Sequence, residues 1–395
     1  VLRDAVWLNQ GRVRAWLWLM AIGMCGWGGA MLLAQILGRQ WGGLGGDFPA
    51  FYAAGTMVHH GQAALVYAQA DMARAERALT GAAATDGFLP FFYPPPFLLL
   101  CWGLAFLPYW LAFTAFIAAG LVPLAVAARL MLPAGWRVLP LLAFPGLWIT
   151  MLSGQNGLIF AACLAWFMLL ADRRPGLGGM WLGVLVCKPH LALAVPFALA
   201  ASGRWRSLAA CVAGAAALSV ASWAVLGTAP SAAFARHAHE ASAVLTGGMI
   251  MQSRIQSAFM AARLLGGGLG VAAMAQAVVT LGTLAVLVAF ARRRPTGAAL
   301  GAAMAASALL LTPYVMDYDL VCLAPALALV VARPGVAYAR VAVLLGFVLP
   351  LISSVVATDL RIQIAPLVML GLLLVVARGR AAATAGALVQ EAQFA

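Results

Sequence analysis

Long apolar stretches alternate with short polar ones along the whole chain. Apolar runs cover about 15–37, 138–152, 157–171, 177–201, 207–227, 269–290, 298–311, 319–332, 338–357 and 362–377, and 96–130 is long enough for two helices. A helix rises 1.5 Å per residue, so roughly 20 apolar residues cross a hydrocarbon layer about 30 Å thick. The pattern predicts an all-α, polytopic integral membrane protein with about 12 transmembrane helices. With no internal repeat and no soluble portion, residues 1–395 read as a single membrane-embedded domain.

Two polar segments are too long to be turns. The first, 38–95, carries Asp47, His59, His60, Asp71, Arg74, Glu76, Arg77 and Asp86. Its mixed charge suits an outer loop with one or two helices lying along the membrane surface. The second, 227–256, carries Arg236, His237, His239, Glu240, Gln252, Ser253 and Arg254.

Composition narrows the class. Hydrophobic residues make up 65% of the chain and charged residues 9%, which excludes a water-soluble domain. The net charge of +13 comes from arginines in short clusters between apolar runs. They lack the aromatic interleaving that base stacking needs, so nucleic acid is not an expected partner. The positive-inside rule explains them better: Arg12 and Arg14, Arg204 and Arg206, Arg292 to Arg294, Arg333, and Arg378 and Arg380 mark cytoplasmic ends, with both termini inside. The first apolar run has no small-residue cleavage site and reads as a retained helix rather than a signal peptide. Cys25, Cys101, Cys163, Cys187, Cys211 and Cys322 all fall in apolar runs without metal-site spacing, and read as small buried residues. The middle leaves two topologies open. With two full crossings in 96–130, Arg173 and Arg174 fall outside; with one half-length segment they fall inside, and Gln155 and Asn156 face outward.

Asp47 stands in Gly45-Gly46-Asp47-Phe48-Pro49, just after the first apolar run, in a chain with only 11 Asp and Glu. At the interface it escapes the roughly 2.5–3.5 kcal/mol penalty of a carboxylate at a helix centre. It reads either as a chemical group or as the cap of the next helix. Lys188, the only lysine, lies inside an apolar run before Pro189, which breaks the helix. A buried ammonium there calls for an anion, and lipid phosphates are the anions native to a membrane. The alternative partner is a helix carbonyl or a nearby acid. His190 either shares that anion or packs. Gln155 and Asn156, flanked by Gly154 and Gly157, suit sugar hydroxyls or a tight turn, and Tyr93 before Pro94 and Pro95 suits a site or an interfacial anchor. Asp317 and Asp319, at i and i+2, cannot share a helical face, so at most one is expected in a site, with capping open to either. His237 and His239, also at i and i+2, point apart, so His237-Ala238-His239-Glu240 does not read as a metal site. No metal or cofactor is expected. Neither a nucleotide-binding glycine loop nor a Ser/His/Asp arrangement is present.

These segments, in this order and over most of the chain, resemble glycosyltransferase family 87. The resemblance rests on Gly46-Asp47-Phe48, Phe51-Tyr52-Ala53-Ala54-Gly55, Tyr93-Pro94-Pro95, Gly154-Gln155-Asn156, Lys188-Pro189, Gln252-Ser253 and Thr312-Pro313. Where many relatives have a histidine near positions 318–319, this chain reads Met316-Asp317-Tyr318-Asp319. The resemblance implies a C-type glycosyltransferase fold and transfer of a sugar, a hexose such as mannose, from a polyprenyl-phosphate donor. The acceptor would be a glycolipid or glycan, and the enzyme a multi-pass protein of the bacterial inner membrane, working on the cell envelope from the periplasmic side. It also implies Asp47 as the catalytic base, consistent with the need to deprotonate an acceptor hydroxyl. Lys188, His190 and Arg254 are the expected ligands of the donor phosphate. Tyr52, Tyr93, Gln155, Asn156, Gln252, Ser253, Asp317 and Asp319 are the expected contacts of sugar and acceptor. The competing class is a transporter or lipid flippase with Lys188 and Asp317 as substrate or proton sites. Such proteins show repeats and midplane charge, whereas most acids here fall at the outer interface. A non-catalytic scaffold leaves Asp47 and Lys188 without a role.

Overall fold

Five apolar runs fold as single helices long enough to cross a bilayer: Gln10–Ile36, Tyr109–Met131, Trp205–Leu226, Leu269–Ala291 and Ala339–Leu360. The computed structural model describes residues 2–37, 44–81, 88–133, 135–136, 138–237, 240, 251–332 and 336–379. Among the residues singled out above, Asp86, His239, Arg333 and Arg380 lie outside this set. Six shorter apolar helices join the five spans: Pro95–Leu104, Gly157–Leu170, Pro175–Cys187, Pro189–Ala201, Gly297–Leu310 and Ala365–Arg378. Among the described residues there is no strand, only an antiparallel bridge between Ile255 and Met316. The protein is thus all-helical and multi-pass, though helix length alone does not reach the expected count of 12 crossings.

Proline splits several runs that hydropathy leaves whole. The run 138–152 divides into Leu139–Ala143 and Pro145–Ser153, because Phe144, before Pro145, is extended at ψ 115°. The run 177–201 breaks at Lys188 (φ −143°, ψ 72°) ahead of Pro189. The run 319–332 begins as a 3-10 helix, Asp317–Leu323, and becomes α-helical only at Ala324–Val331.

The two ends of the bundle differ in charge. At one end Arg204 bonds Asp172, the Ala171 carbonyl and the Pro295 carbonyl, Arg293 reaches the Ala377 carbonyl, and the Tyr338 amide donates to the Arg3 carbonyl. Arg173 and Arg174 lie beside Asp172 at this arginine-rich end. Pro95–Leu104 has ten residues, about 15 Å of helix and half a bilayer. This helix is of the half-length kind that one of the two topologies for 96–130 contains, and Gln155 and Asn156 sit at the end of Gly157–Leu170 away from Asp172, with Asp47.

The core lies between Gly157–Leu170 and Gly297–Leu310. The second of these is built mainly of alanine and glycine and is buried almost throughout. Small residues let the backbones approach closely, the usual packing currency within lipid. Trp205–Leu226, by contrast, buries only Ser207 and Ser222. The first outer loop does fold into helices, but Phe48–His59 is not a surface helix. Phe48, Phe51, Ala54 and Met57 are buried, and Phe51 packs edge-on against Phe91, Tyr93 and Phe97. Its apolar, aromatic sequence buries better inside the bundle than along an interface. Gln69–Thr80 is the amphipathic one, burying only Met72, Ala73 and Glu76.

Candidate active site

The site is assembled by the turn that ends Pro145–Ser153. Gly154 is left-handed (φ +70°), and a Cβ there would lie 2.9 Å from both Gly45 Cα and Phe48 Cβ. Glycine thus permits the turn and lets the Asp47 loop lie directly on it. Two backbone bonds fasten the loop: the Gly45 amide donates to the Leu152 carbonyl (2.7 Å) and the Asp47 amide to the Ser153 carbonyl (2.8 Å).

Asp47 occupies the N-cap position of Phe48–His59, yet its side chain makes no capping bond. Its Oδ2 instead accepts from Gln155 Nε2 at 2.7 Å, and Gln155 Oε1 accepts from the Tyr93 hydroxyl at 3.1 Å. Burial pushes the Asp47 carboxyl above the usual carboxylate range; the Gln155 bond and the positive charge of Arg254 offset this only in part. The result is a carboxylate oriented by one amide and made more basic than an exposed one.

Lys188 is 2% exposed and already has its anion. Its Nζ donates to Asp319 Oδ1 (2.5 Å) and Asn156 Oδ1 (3.1 Å), and Asp319 Oδ2 accepts from the Met316 amide. Of the partners open to this lysine, a phosphate, a helix carbonyl or a nearby acid, the acid is in place. Asp317 pairs elsewhere: its two oxygens take the Arg254 guanidinium at 2.8 and 3.0 Å. Both aspartates are therefore engaged, each with its own cation, and they point apart as i and i+2 were expected to. The reason is local. The segment is a 3-10 helix that turns the two carboxylates to different cations, one on each flank of Tyr318. The Tyr318 ring lies 5.1 Å from Lys188 Nζ and 5.8 Å from Arg254 Cζ, and the Tyr318 carbonyl accepts from Thr150 at 2.7 Å. The second loop joins through the Gln256 amide, which donates to the Val315 carbonyl, and through Gln363, which donates to the Ile255 carbonyl.

The other candidates separate. Tyr52 is turned away, its hydroxyl donating to the Leu107 carbonyl. His190 stands edge-on to Tyr314, and its Nε2 has no partner. Gln252 and Ser253 line a second hollow behind the Arg254 turn. His237 pairs with Glu240 at i+3, and Glu240 also accepts from Gln69. Sequence reasoning missed Tyr318, Tyr314 and Gln256, which carry no signal beyond ordinary aromatic or amide content, and the pairing of Lys188 with an acid 131 positions away.

The matches with known proteins bear on this arrangement. The model of glycosyltransferase family 87 covers residues 91–313, more than half of the chain. The chain belongs to that family. The matched segment holds Tyr93, Gln155, Asn156, Lys188, His190, Gln252, Ser253 and Arg254; Asp47, Asp317 and Asp319 lie outside it. Among curated proteins and solved structures the chain has no match. Family 87 membership makes the protein a membrane glycosyltransferase, with a sugar donor and an acceptor as its reactants, and speaks against the transporter reading.

Proposed function

We propose that this protein transfers a sugar, a hexose such as mannose, from a polyprenyl-phosphate donor to a hydroxyl of a lipid or glycan acceptor at the extracytoplasmic face. Asp47 is the general base. The observation that carries the reading is the Asp47–Gln155 bond: the carboxylate leaves its own helix uncapped and is held instead by a side-chain amide. In the reaction the acceptor O–H bond breaks with its proton passing to Asp47, the new O–C bond forms at the sugar's anomeric carbon, and the lipid phosphate departs with the electron pair. A monophosphate leaving group needs cationic or hydrogen-bonding stabilisation as its charge develops.

Within the site the cations divide by exposure. Lys188 is enclosed and neutralised by Asp319, so it acts as a positioning residue, holding Asn156 and with it the turn that presents Gln155. The Arg254 side chain keeps 31% of its surface open and is the cation of this group that a phosphate reaches. Tyr93, Tyr314 and His190 supply the aromatic wall for sugar or acceptor. The charge rule, which makes the arginine-rich end cytoplasmic, supports an outward-facing Asp47.

Two tests follow. The Gln155 amide opposes the rise that burial gives the Asp47 pKa, so Gln155→Leu should raise it further. The acidic limb of the kcat/KM profile then moves to higher pH, and an unmoved limb would mean that Asp47 is not the titrating base. For topology, Gln62 is exposed in the first outer loop. Gln62→Cys should react with an impermeant thiol reagent in intact cells, whereas labelling only after permeabilisation would put the chemistry in the cytoplasm.

A further inference from the structure

The 3-10 turn Gln252–Arg254 has two sides. One faces Asp317 through Arg254; on the other lies a hollow of about 520 Å³ whose lining includes Gln252, Ser253, Arg263 and Arg361. No carboxylate lines this hollow. Arg263 Nη1 donates to the Gly267 carbonyl, while its Nε is buried without a partner. Neither arginine forms an ion pair among the described residues, and Asp359, the acid nearest Arg361 in sequence, is not part of the lining. Arg361 also ends Ala339–Leu360 in a left-handed conformation (φ +56°), a position that glycine fills with less strain.

Their place in the bundle adds to the case. Ala339–Leu360 starts next to Arg3 at the arginine-rich end, so Arg361 lies at the other end, with Arg254 and Asp47. Leu269–Ala291 runs toward Arg292 to Arg294, so Arg263, just before it, lies at that same end. The charge rule, which accounts for the arginines at the opposite end, does not account for these two. Lys188 is meanwhile neutralised by Asp319, and Arg254, the cation of that group a phosphate reaches, already shares its charge with Asp317. Any anion brought to this face needs further positive charge.

We propose that Arg263 and Arg361, with Gln252 and Ser253 as neutral neighbours, form a phosphate-monoester site that holds the lipid-borne phosphate of a substrate. Guanidinium forks pair two N–H donors with two phosphate oxygens, and such charge-assisted bonds are about twice as strong as neutral ones. The anion site stands on these side chains; only the lipid attached to the phosphate rests on the function proposed above.

The test is binding, without turnover. Wild-type protein and Arg263→Gln/Arg361→Gln, in phosphatidylcholine nanodiscs, are titrated with undecaprenyl phosphate and, separately, with inorganic phosphate. We expect the double variant to bind undecaprenyl phosphate at least about tenfold more weakly, from the loss of two charge-assisted contacts, with partial recovery in Arg263→Lys/Arg361→Lys. Wild-type affinity in the glutamine variant would overturn the site. Loss of inorganic phosphate binding alone would keep the anion site but overturn its lipid occupant. Should the double variant melt early, Arg361→Gln alone, at an exposed position, carries the same comparison. Because no sugar moves in this assay, unchanged binding counts against this site alone, and failure of transfer counts against the proposed reaction alone.

Discussion

Asp47→Asn should lower turnover by on the order of 10²–10⁴-fold while leaving donor binding largely intact. That span corresponds to about 3–5 kcal/mol of transition-state stabilisation. The substitution suits the question because asparagine keeps the shape and still presents an oxygen to Gln155, so only the proton acceptor is lost. Folding is not at stake, since the Asp47 side chain does not cap Phe48–His59. The loop is held through backbone bonds from Gly45 and Asp47, which the variant retains. Turnover near wild type would remove Asp47 from the chemistry.

The second large effect concerns Lys188. Breaking a buried ion pair from one side leaves an uncompensated charge, at a cost of roughly 3–5 kcal/mol, whereas replacing both partners is often neutral. Lys188→Met should therefore destabilise the protein strongly, stranding Asp319 at 0% exposure. Lys188→Met/Asp319→Leu should recover most of that stability. The double variant also separates two roles. If Lys188 positions the turn, the pair-free protein keeps its affinity for undecaprenyl phosphate and loses kcat through a displaced Gln155. If Lys188 touches the phosphate, that affinity falls with the lysine however stable the double variant is. Thermal melting and the binding titration, taken together on one preparation, decide between them.

The sequence carries these features unevenly. Apolar runs locate the helices because a spanning segment needs length and little else, so the five long spans were legible. The breaks at Phe144 and Lys188 follow from prolines that a hydropathy pattern averages away. Burial of Phe48–His59 depends on aromatic partners around residues 91–116, which are remote in sequence. Asp47 and Lys188 stood out for a chemical reason: each is a rare charge in a chain that can afford few. What each one bonds was not legible. The rule that separates i from i+2 holds for Asp317 and Asp319, which turn to different cations, but it could not show that each side would carry a cation. The hollow at Arg263 and Arg361 was hidden for a further reason: its walls meet only when Ala258–Leu264 and the end of Ala339–Leu360 come together behind the Gln252–Arg254 turn.

The central claim, that the donor is a sugar on a polyprenyl phosphate, has one direct measurement. Protein purified from its membranes without added substrate is extracted, and the co-purifying lipids are analysed by mass spectrometry. The account predicts a polyprenyl phosphate or its glycoside, enriched over bulk phospholipid and depleted in Arg263→Gln/Arg361→Gln. Preparations that carry only bulk phospholipid, and that transfer sugar from a nucleotide donor instead, would contradict it.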